Sequence, residues 1–224
     1  MHYVSVEGLT KSYGVKPLFD GISFHISEGD KIALVARNGA GKSTLLKILS
    51  GIELPDEGKV WIHKDAEVAL FEQEPRLKED TTVLNSIFHH SHPIINTIKA
   101  YEDAVDSGND EAITAALVEM DNHNAWDFEA KVKSILGKLN IHQLQQKVGT
   151  LSGGQKKRVA LARTLIDIGF EHKHILLIMD EPTNHLDVEM VEWLEHYLNK
   201  ENITLLLVTH DRYFLDAVCE EVWE

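Results

Sequence analysis

Two short, wholly apolar runs, each ending in a polar cluster, constrain this chain most. Ile32–Val35 leads into Asn38-Gly39-Ala40-Gly41-Lys42-Ser43-Thr44, and Ile175–Met179 leads into Asp180-Glu181-Pro182-Thr183-Asn184-His185-Leu186-Asp187. Apolar runs this short, bounded by turn-forming residues, read as strands of a buried sheet. From residue 151 to 224 the pattern alternates: helix Gly153–Ile166, strand His174–Met179, helix Val188–Leu198, strand Ile203–Val208, helix Arg212–Val218. Such alternation predicts a parallel sheet with crossover helices, an α/β fold.

The polar clusters carry chemistry. A glycine-rich loop ending in Gly-Lys-Ser turns its backbone N–H groups toward phosphates, while Lys42 and the Ser43 hydroxyl serve the terminal phosphates and Mg²⁺. A random glycine turn would not also supply Lys42, Ser43 and Thr44 at a helix start behind a buried strand. The loop departs from G-x-x-x-x-G-K at its first position, where Ala36 stands. A left-handed backbone there would cost about 1–2 kcal/mol, so Ala36 is expected to keep a negative φ. The strand ending in Asp180-Glu181 delivers two carboxylates to the sheet edge, where a metal and an attacking water would sit. Glu181 is the candidate general base for that water, and Asp180 is placed to hold Mg²⁺ indirectly.

Composition narrows the class. The 224 residues, 43% hydrophobic, suffice for one or two packed units. With 22 basic and 36 acidic residues the net charge is −14, which argues against this chain alone wrapping RNA or DNA. Cys219 is the only cysteine, which rules out an intrachain disulfide and suits a reducing compartment. His2, Glu7 and Lys11 interrupt any leader-like run, and apolar stretches such as Leu205–Val208 fall far short of the roughly 20 residues of a membrane span. A cytoplasmic chain without membrane insertion is expected.

Three stretches are expected. Residues 1–72 hold strand candidates around Tyr3–Val6, Ile22–Ile26, Lys31–Val35, Lys59–Ile62 and Glu67–Phe71, a helix over Lys42–Leu49, and a tight turn at Pro55-Asp56-Glu57-Gly58. In 74–150 helical spacing takes over: Ile113, Ala116, Leu117 and Met120 share one face, and Val132, Ile135, Leu136 and Leu139 another. The third stretch is the alternating region. His89-His90-Ser91-His92 lacks zinc-site spacing and His172-Lys173-His174 is a polar lead-in to a strand, while Trp126, Phe128 and Trp193 read as packing residues.

Leu151-Ser152-Gly153-Gly154-Gln155 adds what a generic phosphate loop lacks. Its serine and glycines open a helix, making an anion site from free N–H groups and the helix dipole. With the loop at 36–44 and the Asp180-Glu181 strand, it makes nearly the whole chain resemble the ATP-binding cassette (ABC) superfamily. That resemblance implies a single ABC ATPase domain over 1–224, with a parallel-sheet core and an N-terminal antiparallel β subdomain over 1–73 and 151–224, and a helical subdomain over 74–150. It implies ATP and Mg²⁺ as ligands, with Ala36, Arg37, Asn38, Gly39, Ala40, Gly41, Lys42, Ser43 and Thr44 around the phosphates. Gln73, in Phe71-Glu72-Gln73-Glu74, matches a residue that serves Mg²⁺ and water; His210 resembles the switch histidine at the γ-phosphate; Tyr13 matches the aromatic that stacks on adenine. Ser152, Gly153, Gly154 and Gln155 are implied to close over ATP held by a second cassette, with Asp187 at the seam. Lys42, Glu181 and His210 then form the catalytic set, and an isolated chain is expected to hydrolyse ATP weakly.

Glu181-Pro182-Thr183-Asn184-His185-Leu186-Asp187, the acidic run Val188–Glu195, Leu151–Ala160 and Thr209–Leu215 resemble the ABC-F class, and Asp121-Asn122-His123-Asn124-Ala125-Trp126 the first cassette of Uup-like members. Such proteins carry tandem cassettes and act on ribosomes or translation, so the chain is expected to be the N-terminal half of one. Its partners would be a second cassette, in the same polypeptide or as a homodimer, and a ribosome reached through segments not present here. A transporter's ATP-binding subunit is an alternative that the long helical stretch after Gln73 weakens. A non-catalytic scaffold is another, weakened by Glu181 and His210.

Overall fold

The computed structural model describes residues 1–14, 16–89, 92–169 and 174–224. His90, Ser91, His172 and Lys173 of the two histidine-containing segments lie outside them. The chain forms two compact units, one of Met1–Pro75 with Ile168–Glu224 and one of Arg76–Asp167.

The first unit contains two sheets. In one, β1 (His2–Ser12) lies between β2 (Pro17–Ser27) and β4 (Glu57–Ile62), antiparallel to both. Both β1 and β2 outrun the apolar segments that announced them. The ladder carries polar residues past the point where the hydrophobic signal stops: Lys11 pairs with Phe19, and Thr10 with Glu57. In the other, five strands run in parallel in the order β5 (Glu67–Phe71), β6 (Ile175–Asp180), β7 (Thr204–Val208), β3 (Lys31–Leu34), β8 (Glu221–Trp223). Every residue of β6 and β7 is buried, which is why both read as unbroken apolar runs.

Helix α1 (Lys42–Leu49) follows β3, and its Leu45, Leu46, Ile48 and Leu49 face inward. They share one core with Tyr3, Val4, Val6, Leu9 and Ile26 of the antiparallel sheet and with Ile32, Leu176, Ile178, Leu206 and Val208 of the parallel one. Helix α1 is thus held in one core with both sheets of the unit. The later helices are α7 (Val188–Lys200) and α8 (Arg212–Val218). Order β6-β7-β3 puts the C-terminal ends of the two diagnostic strands at one sheet edge, separated only by β7, where ligands of open α/β sheets bind.

The second unit is helical: α2 (Val83–Ile87), α3 (Pro93–Ser107), α4 (Asp110–Asn122), α5 (Trp126–Lys138), a 3₁₀ turn at Val148–Thr150, and α6 (Gly153–Ile168) as far as Asp167. The α3–α4 hairpin is cut by left-handed Gly108, and the Asn109 carboxamide accepts from the N–H groups of Glu111 and Ala112. On α5 the face of Val132, Ile135, Leu136 and Leu139 is buried as its spacing predicts. On α4 only Ala116 and Met120 are buried; Leu117 is exposed and Ile113 half-buried, so the apolar stripe there is narrower than the spacing suggests.

This unit extends past residue 150, to Asp167, and takes in the pentapeptide. Within it, the Glu79 carbonyl accepts from Gly149 N–H at 2.9 Å and the Glu79 carboxylate meets Lys156 Nζ at 2.7 Å. Lys147 also bridges to Thr82. The residues before α6 are therefore knitted to the segment around Glu79.

Candidate active site

A cavity of about 600 Å³ opens at the sheet edge of the first unit, lined among others by Tyr13, Asn38, Gly39, Gly41, Lys42, Ser43, Thr44, Gln73, Asp180, Glu181, Asn184 and His210. The loop after β3 shapes its floor. Gly41 is the N-cap of α1 with φ 91°, and a Cβ on it would lie 3.0 Å from Leu18 Cβ and 3.1 Å from the Phe19 ring. Only glycine fits there. No side chain caps α1 and no acid stands in its first turn, so its leading N–H groups and the positive end of its dipole remain available to an anion. Lys42 Nζ folds back over the loop and donates to the carbonyls of Ala36 at 2.7 Å and Arg37 at 3.2 Å.

The non-glycine residues with positive φ among those described are Asn124, Asn140, Glu181 and His185, so Ala36 keeps the negative φ expected of it. Neither Ala36 nor Arg37 lines the cavity; they serve it through the carbonyls that hold Lys42. Ala36 and Ala40 line an apolar groove on the other side of the loop, with Phe19, Leu34 and Leu45.

Ser43 Oγ donates to Asp180 Oδ2 at 2.7 Å. This pair of hard oxygen donors faces a cavity that Gln73 also lines. Among the described residues no three His, Cys, Asp or Glu side chains gather closely enough to cage a metal. A hydroxyl, one carboxylate and one amide suit Mg²⁺, which keeps several waters and shares its remaining sites with phosphates. The donor set therefore fits that ion.

Glu181 is only 8% exposed and sits in the left-handed region, φ 51°. Its N–H donates to the Val208 carbonyl at 2.8 Å, and its carboxylate lies 3.4 Å from the His210 N–H and 3.6 Å from His210 Nε2. His210 Nε2 is also 3.2 Å from Asn38 Oδ1. The imidazole thus joins the glycine-rich loop to Glu181 across the cavity mouth. A non-glycine residue with φ above zero costs of order 1–3 kcal/mol, and such strain concentrates at functional positions. Neither the strained Glu181 nor the Asn38–His210 link carries a sequence signal. Asn184 lies inside the diagnostic run, yet nothing in its spacing says that it lines the cavity.

A family model described as ABC transporter matches residues 19–184, which include the glycine-rich loop, the pentapeptide and Asp180–Asn184 of the second polar cluster. The chain belongs to the ATP-binding cassette family. Over 232 residues the cassette is 43% identical to the Bacillus subtilis protein described as "Uncharacterized ABC transporter ATP-binding protein YfmR", covering 100% of the chain and 36% of that protein. It is 35% identical to the "Energy-dependent translational throttle protein EttA" of Mycobacterium tuberculosis (strain CDC 1551 / Oshkosh), covering 98% of the chain and 40% of the relative. It is 32% identical to the "ATP-binding protein Uup" of Escherichia coli (strain K12), covering 96% and 34%. The cassette spans little more than a third of these relatives' length. The likeness to Uup and EttA bears out the resemblance to Uup-like ABC-F proteins carried by the motifs. Among solved structures, an "ATP binding subunit of ABC transporter" aligns with TM-score 0.70 at 20% identity, over 99% of the chain and 86% of its own. The "ATP-binding cassette MJ0796 bound to ADP and Pi", a dimeric post-hydrolysis state, aligns with TM-score 0.65 at 20% identity, over 96% and 91%. Both show the cassette fold. No described helix is long and apolar enough to cross a membrane.

The pentapeptide belongs to the second unit. Ser152 and Gln155 form a reciprocal capping box: Ser152 N–H donates to Gln155 Oε1 at 2.8 Å, and Gln155 N–H to Ser152 Oγ at 3.3 Å. Two of the N–H groups expected to be free are therefore engaged, and Gly153 and Gly154 offer those that remain. Asp187 is the N-cap of α7, its carboxylate accepting from Met190 N–H at 2.9 Å. Trp126 packs edge-on against Tyr101 and Trp193 stacks at a tilt against Tyr197, as packing residues do.

Proposed function

We propose that the cassette binds MgATP and hydrolyses it only when a second cassette covers the nucleotide, as part of an ABC-F protein of the translation apparatus. The observation that carries this reading is the meeting of Lys42, the Ser43–Asp180 pair and the buried Glu181 on one cavity. Tyr13 stacks on the adenine, and the glycine-rich loop with the first turn of α1 cradles the β- and γ-phosphates. Lys42 leaves the Ala36 and Arg37 carbonyls for phosphate oxygens. Ser43, Asp180 and Gln73 would hold Mg²⁺, which would supply positive charge to the phosphates. Glu181 orients the attacking water and takes its proton, and His210 meets the γ-phosphate, a role supported by its position beside Glu181 and Asn38.

Ser152, Gly153, Gly154 and Gln155 act on a partner's ATP, with Asp187 at the seam, so one chain alone turns over slowly. The pairing is homotypic or made with a further cassette of the same polypeptide; the dimeric state of MJ0796 supports it. The printed description of EttA supports the link to translation. The net charge of −14 argues that any RNA contacts are made outside residues 1–224, and the reading implies a cytoplasmic protein.

Phosphate release and ATP titration on three chains test this. Lys42→Ala is expected to abolish ATP binding. Glu181→Gln keeps ATP affinity and lowers turnover by about 10²–10⁴-fold, since the amide accepts no proton. Unchanged turnover in Glu181→Gln removes Glu181 from the reaction, and unchanged affinity in Lys42→Ala removes Lys42 from the phosphate site.

A further inference from the structure

Tyr13 stands just beyond β1 and is 60% exposed, yet its hydroxyl is not free. It donates to Glu53 Oε1. Glu53 follows α1, and the N–H groups of Ile52 and Glu53 both donate to the Lys47 carbonyl, at 2.9 and 3.2 Å. The carboxylate is therefore attached to the C-terminal end of the helix whose N-terminus opens the phosphate cradle. Lys11 completes the arrangement: its Nζ lies 3.3 Å from Glu53 Oε1, 3.2 Å from Asp56 Oδ1 and 2.8 Å from the Leu54 carbonyl. Asp56 Oδ2 accepts from Ser12 N–H at 2.8 Å. The 53–56 loop thus grips the end of β1 through Lys11 and Ser12, and the Tyr13 hydroxyl through Glu53.

The same ammonium sits 5.5 Å from the centre of the Tyr13 ring, over one of its faces. A flat base can then approach only the other. The charged hydrogen bond holds the Tyr13 phenol above its ordinary range and the Glu53 carboxyl below its own. An exposed tyrosine that must be immobilised by each incoming ligand weakens binding, whereas one already fixed does not.

We propose that Glu53, pinned by Lys11, is a positioning residue for the nucleobase: it fixes the Tyr13 ring at a set distance from the phosphate loop and leaves one stacking face open. This rests on the reading of the cavity as an ATP site. Glu53 does not touch the reacting phosphates, so its loss should be felt by the base alone.

Calorimetric titration of the full chain with MgATP and, separately, with inorganic tripolyphosphate tests it on wild type, Glu53→Ala, Glu53→Gln, Tyr13→Phe and the Glu53→Ala/Tyr13→Phe double variant. Glu53→Ala and Tyr13→Phe are each expected to weaken MgATP by about three- to tenfold, the double variant by no more than either alone. Glu53→Gln, whose carbonyl still accepts from the phenol, stays within about twofold of wild type. Tripolyphosphate affinity is the same in all five, which also shows that the variants are folded. MgATP binding by wild type with Glu53→Ala or Tyr13→Phe unchanged overturns the proposal alone, as do equal losses for tripolyphosphate. A wild type that binds neither ligand overturns the ATP reading with it.

Discussion

At the scale of single residues, burial decides chemistry that composition cannot. Cys219, the only cysteine, caps the end of α8, and burial pushes its thiol up to about 12. The thiolate is the reactive form, so at pH 8 Cys219 should react with iodoacetamide about 10³-fold more slowly in the native chain than in urea. An acid that holds its proton more tightly when folded costs nothing below the unfolded thiol's pKa near 9, and stability falls as pH climbs beyond it. Native labelling at the unfolded rate would show that the thiol is not shielded in the folded chain. Lys42, Ser43, Asp180 and Glu181 were each legible from residue type and spacing, because the chemistry permits few alternatives at those positions. The left-handed backbone of Glu181 and the Asn38–His210 bond were not. They arise where β6, β7 and the glycine-rich loop converge, and no local sequence pattern encodes that convergence.

At the scale of elements, one segment can serve two purposes, and its variants must be read accordingly. Ser152 caps α6 reciprocally with Gln155, so Ser152→Ala should cost about 0.5–2 kcal/mol of stability whatever it does to a partner's nucleotide. Urea denaturation measured without nucleotide isolates that cost. An unchanged midpoint would mean that the box contributes nothing in solution. The buried strands β6 and β7 were plain from their unbroken apolar runs. The far end of β1 was not, since Glu7, Thr10 and Lys11 look like loop until a neighbouring strand supplies the ladder. On α4, Leu117 fits the spacing of a buried face yet is exposed, because periodicity says which residues share a side of a helix but not how far the covering layer reaches.

At the scale of the whole molecule, the two units divide the motifs between them. The glycine-rich loop, Asp180-Glu181 and His210 belong to the first, and Ser152–Gln155 to the second, which runs from Arg76 to Asp167. Glu79, which no sequence pattern singles out, ties the residues before α6 into that unit through Gly149 and Lys156. If hydrolysis needs the second unit of one chain and the first unit of another, inactive chains with complementary lesions must restore each other. Ser152→Ala keeps its own Lys42 and Glu181 but offers a partner no intact pentapeptide; Glu181→Gln keeps the pentapeptide but cannot accept the water's proton. The decisive measurement is phosphate release from MgATP by these two variants, separately and mixed at high concentration, with light scattering on the same samples. The account predicts that each alone is nearly silent and that the mixture hydrolyses ATP, at a rate per chain that rises as pairs form. A mixture as silent as its components, beside a wild type that turns over rapidly as a strict monomer, would contradict it.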